Sequence, residues 1–90
     1  MFDFEWDEAK RFANIEKHDI DFEAARQLFD GRPVVTFESK YDAESRFLTI
    51  GMLDQQIVTV VWTWRGSIIR LISARRASDE ERRRYRQLHV

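Results

Sequence analysis

The sequence has no cysteine, one proline and three glycines in 90 residues. Without cysteine there is no disulfide, no thiolate zinc site and no cysteine nucleophile, and the lack fits a reducing compartment. So few glycines and prolines point to short connections, and no internal repeat, low-complexity run or linker is visible. Long hydrophobic runs are missing as well. The longest apolar stretch, residues 57–64, is interrupted by threonine and is too short to span a bilayer. The start, Met1-Phe2-Asp3-Phe4-Glu5, is acidic where a secretory leader is basic, and no apolar segment follows it. These absences predict a cytoplasmic protein without membrane contact, and the length predicts a single domain over residues 1–90.

What is present is a folding composition, 43% hydrophobic and 13% aromatic, enough apolar surface to oppose the entropy of ordering the chain. The net charge of −1 conceals an asymmetry. Residues 1–45 carry six basic and twelve acidic side chains, a net of −6. Residues 46–90 carry nine basic and four acidic ones, a net of +5, and every one of those nine cations is arginine. Arginine grips phosphate with a planar fork and stays charged when desolvated. The basic half is therefore either a solvated face or a surface for a phosphate-bearing polymer or an acidic partner.

Asp7 is placed to cap a first helix, with Glu8 favoured by the helix dipole. Phe12 and Ile15 lie at i and i+3 and are expected to face the core together. The helix should end near Glu16 or Lys17, followed by a break over residues 17–20. Asp21 caps a second helix with Phe22, Ala25, Leu28 and Phe29 on its buried side, and Asp30-Gly31-Arg32-Pro33 ends it. Four strands are predicted at 34–39, 46–53, 57–64 and 67–74. A polar turn at 40–45, a tight connection at 54–56 and a hairpin turn at Arg65-Gly66 join them. Apolar residues of both parities in the last two strands predict cover on both faces. The segment from Phe2 to Trp6 is a candidate for an extra edge strand. Ser78 with Glu81 is a capping box that opens a C-terminal helix carrying Arg82, Arg83, Arg84 and Arg86. The expected fold class is α+β in the order α-α-β-β-β-β-α: an antiparallel four-stranded sheet with two N-terminal helices and one C-terminal helix.

Three segments carry a family resemblance. The first is Phe4-Glu5-Trp6-Asp7-Glu8-Ala9-Lys10, continuing through Asn14 to Lys17-His18 and Phe22-Glu23-Ala24-Ala25. The second is Arg46 with Gly51 behind it. The third is Arg70-Leu71-Ile72-Ser73-Ala74-Arg75-Arg76-Ala77, followed by Glu81 and Tyr85. Together they resemble the BrnT family of type II toxin–antitoxin ribonuclease toxins over nearly the whole chain. The resemblance implies a RelE-like fold and inhibition of translation by RNA cleavage. It also implies a BrnA-like antitoxin with a ribbon-helix-helix DNA-binding domain, through which alone the pair meets DNA. Family members usually have glycine after the Lys-His pair, where this chain has Asp19; Asp tolerates the left-handed turn expected there better than most residues.

Such cleavage must deprotonate a 2′-hydroxyl, hold the charge of the phosphorane and protonate the 5′-oxygen. No metal-ligating motif and no cofactor motif is present, so a metal-independent reaction without cofactor is expected. The residues that fit the chemistry are Lys17, His18, Arg70 and Arg75, with Arg46, Arg76 and Trp64 as candidate RNA contacts. Imidazole titrates near neutrality, which suits His18 to proton transfer, although a histidine at a helix end is also a common cap. Lys17 beside it is either a phosphate ligand or base, or a lysine stabilised by the helix dipole. Arg70 interrupts an apolar strand, so it must face a groove, a partner or a carboxylate. Arg75 and Arg76 follow at the strand end, one toward the groove and one toward solvent. Arg46 opens another strand, and Arg65 in the hairpin turn is expected in solvent. Trp62 and Trp64 share a strand parity, with core packing and base stacking as their two roles. Tyr85 is expected to pack with its hydroxyl at the surface. The arginines of the last helix are either a solvated face or an RNA contact. A non-catalytic RNA- or protein-binding module with the same basic face is the rival reading, and a purely structural partner of the antitoxin is a third.

Overall fold

The computed structural model describes residues 2–41 and 44–89, and the side chains of 40 and 41 are outside that description. The carboxylate of Asp7 accepts from the amides of Ala9 and Lys10 and opens helix α1, Glu8–His18. The helix stops at Asp19, whose φ of 57° and ψ of 35° place it in the left-handed region, with its N–H bonded to the Ile15 carbonyl at 2.8 Å. The turn that glycine would serve is thus made by aspartate. Asp21 caps the second helix as expected, but that helix is not regular. A single α-turn, α2 (Phe22–Ala25), tightens into a 3₁₀ turn over Arg26–Phe29. The reason lies in the spacing. Phe22, Ala25 and Leu28 recur every three residues, the period of a 3₁₀ helix, and all three are buried. Phe12, in contrast, does not face the core with Ile15; it is 57% exposed beneath the Arg11 guanidinium. The inward stripe of α1 runs instead through Arg11, Asn14, Ile15 and His18.

The strands are β1 (Asp3–Glu5), β2 (Val34–Tyr41), β3 (Glu44–Leu53), β4 (Gln56–Arg65) and β5 (Ile68–Arg76), and helix α3 (Asp79–Leu88) closes the chain. The expected polar turn at 40–45 includes 42 and 43, which lie outside the described residues; its remaining positions continue β2 and β3. The hairpin turn predicted at Arg65-Gly66 falls one residue later, with Gly66 at φ 60°.

The sheet corrects the fold expected from the sequence. It has five strands in the order β1-β5-β4-β3-β2, and it is mixed, because β1 runs parallel to β5. It is therefore not the four-stranded antiparallel sheet that the sequence predicted. The segment named as a candidate edge strand is that fifth strand, β1; at three residues it is too short for its pattern to fix its partner or its direction. What secures it is tertiary: Phe4 packs edge-on to Phe29 at 5.5 Å, and Glu5 pairs with Arg70.

One sheet face packs on α2 and the 3₁₀ turn: Phe22, Ala25 and Leu28 meet Val58, Val60, Trp62, Ile69, Leu71 and Ala74. The indole of Trp62 donates to Thr49 Oγ1 at 2.8 Å, which satisfies a polar group inside that core. The other face carries α3 over Ile50, Ile57 and Ala77, with Phe37 and Tyr85 alongside. Beyond Arg70, where β1 ends, α1 runs along the free edge of β5. There the Asn14 side chain bonds the backbone of Ala74 and covers an edge that would otherwise be open.

Candidate active site

A register shift decides where the arginines of β5 point. Side chains alternate along a strand, so residues five apart, such as Arg70 and Arg75, should lie on opposite faces. The shift between Val61 and Trp62 of β4 leaves Ile72 as an extra residue in β5: Arg70 pairs with Thr63 and Arg75 with Thr59. Thr63 and Thr59 are four apart, so both arginines share the face that carries α3. Arg76, opposite Val58, is on the other face.

Arg70 donates one Nη1 bond to Glu5 at 2.8 Å, across the parallel pair. Arg75 is held more fully. Its two Nη groups meet both oxygens of Glu81 at 2.8 and 3.0 Å. Glu81 Oε1 also accepts from the Ser78 amide at 2.8 Å and from the buried Thr59 hydroxyl at 2.9 Å. The carboxylate that completes the capping box thus also anchors α3 to β4 and β5. These donors, Arg75 first, hold Glu81 well below the ordinary carboxylate range, at about 2, and Glu81 raises Arg75 in turn.

His18 stands elsewhere. It lines a cleft of about 230 Å³ with Asp19, Ile20, Asp21, Asp54, Gln56, Val58 and Arg76, among others. Asn14 creates this meeting. One helical turn before His18, its amide bonds Ala74, two residues before Arg76, and it also donates to the Ile20 carbonyl at 2.9 Å. Lys17 is exposed on the same last turn of α1.

The residues singled out from sequence therefore divide into two groups. His18 and Arg76 share a cleft at the end of α1; Lys17, on the same turn of the helix, is exposed and does not line it. Arg70 and Arg75 lie on the face that carries α3, each facing a carboxylate. Arg46, half-buried in β3 rather than at its start, shares that face by alternation from Leu48, which pairs with Val61. Trp64 is 44% exposed at the far end of β4, packed on Phe2 and Trp62. Arg65 is exposed as expected, and Tyr85 packs against the second core cluster. Arg75 and Arg76 belong to β5 itself rather than following it.

Two residues organise this region without a role that sequence reasoning assigns them. Asn14 stands in the sequence only as part of a motif, and Glu81 as part of a motif and as a helix cap. A polar residue on the inward stripe of α1 is the available signal for Asn14. Among the described residues, no three His, Asp or Glu side chains are grouped so as to hold a metal ion, and no helix is long and apolar enough to cross a membrane.

A family model described as "Ribonuclease toxin, BrnT, of type II toxin-antitoxin system" matches residues 6–81. The match takes in Asn14, His18, the whole of β5 and Glu81. Comparison with curated proteins gives no match.

Proposed function

Since the chain belongs to the BrnT family of type II toxin–antitoxin ribonuclease toxins, we propose that it is a single-domain toxin that cleaves RNA internally at the His18–Arg76 cleft, without a bound metal or cofactor. The observation that carries this reading is that one cleft brings together an imidazole and an arginine with no ion pair among the described residues. His18 takes the proton of a 2′-hydroxyl, whose oxygen attacks the adjacent phosphorus. Arg76 holds the negative charge that builds on the phosphorane. The bond to the 5′-oxygen breaks, Lys17 gives its own proton to that oxygen, and solvent then takes the proton from His18 and restores that of Lys17. The products are a 2′,3′-cyclic phosphate and a 5′-hydroxyl.

In this reading the second group binds rather than reacts. Arg70 spends one N–H on Glu5 and keeps the rest of its fork for an RNA phosphate, with Arg46 on the same face. Arg75 has both Nη groups on Glu81 and acts as a positioning residue. Trp64 offers a ring for base stacking. RNA cleavage would stop translation in the cytoplasm, and a BrnA-like ribbon-helix-helix antitoxin would neutralise the toxin and alone bring the pair to DNA.

The test is cleavage of labelled RNA in EDTA by the purified chain and by His18→Ala and Arg76→Ala, each beside a thermal melt. Cleavage that survives chelation, and falls on the order of 10²–10³-fold in either variant at unchanged melting temperature, is the expected result. RNA that is bound but never shortened by the parent chain indicates the non-catalytic binding module instead.

A further inference from the structure

The β3–β4 connection has an unusual turn. Asp54 and Gln55 have φ of 49° and 68°, so both central residues of a two-residue hairpin are left-handed, the type I′ pattern that favours Asn-Gly or Asp-Gly. Aspartate suits the first position; glutamine, with a Cβ and a long side chain, is poorly suited to the second. Strain of this kind is retained where the side chain has work to do. Here the turn places Gln55 and Gln56 in the wall of a cleft of about 570 Å³, opposite Arg76, Arg82 and Arg86.

Three cations from two elements meet in that cleft. Arg82 and Arg86 lie one turn apart on α3, a spacing at which like charges repel. Arg82 is held by Asp79 and by the Ala77 carbonyl. Arg76 and Arg86 form no ion pair among the described residues. Of the acids of α3, Glu81 is committed to Arg75 and Glu80 lies toward Arg84, while Asp79 pairs with Arg82 itself and leaves Arg76 and Arg86 as the uncompensated cations. The cleft is thus left positive, with amides on one wall, and it shares Gln56 and Arg76 with the His18 cleft.

We infer that this cleft, formed by Arg82, Arg86 and the strained Gln55 turn, is the subsite for the RNA phosphodiester neighbouring the scissile one. It rests on the ribonuclease reading and extends the path of the strand beyond His18. The arginines hold the backbone, and the Gln55 amide, able both to donate and to accept, meets the edge of a base.

The test measures affinity for a labelled 2′-O-methyl RNA oligonucleotide, which lacks the attacking hydroxyl, so binding is separated from cleavage. Cleavage of unmodified RNA by the parent chain is scored alongside; its absence defeats the ribonuclease reading whatever the affinities are. For the subsite, Arg86→Ala should bind about five- to tenfold more weakly and lose about 0.7 from the slope of log affinity against log salt, one phosphate contact to a single strand. Arg65→Ala, which removes the same charge at the other end of β4, should change affinity less than about twofold. Gln55→Gly should melt no lower than the parent, because the strain is relieved, and still bind more weakly. Equal effects of Arg86→Ala and Arg65→Ala would overturn the subsite, as would a Gln55→Gly chain that binds as the parent does.

Discussion

Asn14 and Ala74, sixty residues apart in the chain, are joined as one strand joins another. The Asn14 amide nitrogen donates to the Ala74 carbonyl at 2.8 Å, and its oxygen accepts from the Ala74 N–H at 3.2 Å. A side chain thus stands in for the strand that β1 is too short to supply, and His18 is carried to Arg76 as a consequence.

Asn14→Ala should therefore be costly. It strands buried backbone groups of Ala74 and Ile20, each worth roughly 1–3 kcal/mol when left unpaired, so a loss of about 3 kcal/mol is expected in urea unfolding. Asn14→Asp keeps the acceptor but cannot donate to either carbonyl, and it should be no better. Stability close to that of the parent in Asn14→Ala would show that water replaces the amide and that the bridge is dispensable.

Glu81 sets an acid limit. Its folded value of about 2 lies below its ordinary 4.5, so it contributes stability above roughly pH 4.5. That contribution is lost as pH falls toward 2. The shift corresponds to about 3 kcal/mol. Asp21, lowered by its hydrogen bond with Arg11, adds in the same direction. Glu81→Gln should be less stable than the parent at neutral pH and lose less between pH 5 and 2. Parallel stability curves for the two proteins would contradict this assignment.

Gly51 is fixed by packing rather than by backbone angle. A Cβ there would stand 2.9 Å from both Leu28 Cδ2 and Val34 Cγ1. Gly51→Ala should cost about 1–3 kcal/mol by overpacking, and Leu28→Ala in the same chain should recover part of that loss less than additively. A Gly51→Ala protein that melts with the parent would mean that β2 shifts freely to admit a methyl group.

Arg70 and His18 should separate kinetically. If Arg70 binds RNA outside the cleavage cleft, Arg70→Ala should raise KM about tenfold at nearly unchanged kcat, the signature of binding shared by ground and transition states. Arg70→Lys should recover part of the affinity, because charge is kept and the planar fork is lost. A fall in kcat as large as that of His18→Ala would move Arg70 into the reaction itself. A collapsed melting temperature would show that its pairing with Glu5 chiefly holds β1 in place.

Local chemistry was legible in the sequence wherever neighbours along the chain supply both partners. Asp7 and Asp21 cap their helices, Asp19 makes the left-handed turn, and Ser78 with Glu81 forms the capping box. The long strands β3, β4 and β5 announced themselves through β-branched and aromatic residues, and the terminal motifs identified the family. What the tertiary structure decided are relations between distant residues. The parallel pairing of β1 depends on Phe29 and Arg70, far along the chain. The register shift at Val61 and Trp62 turns Arg70 and Arg75 to one face, although strict alternation would separate them. The Asn14–Ala74 bridge brings His18 to Arg76 and leaves Arg70 to Glu5. A side-chain pattern of period two or 3.6 fixes which way a residue points within its own element. It carries no information about which other element will be there to meet it, and that is set by the packing of all the elements at once.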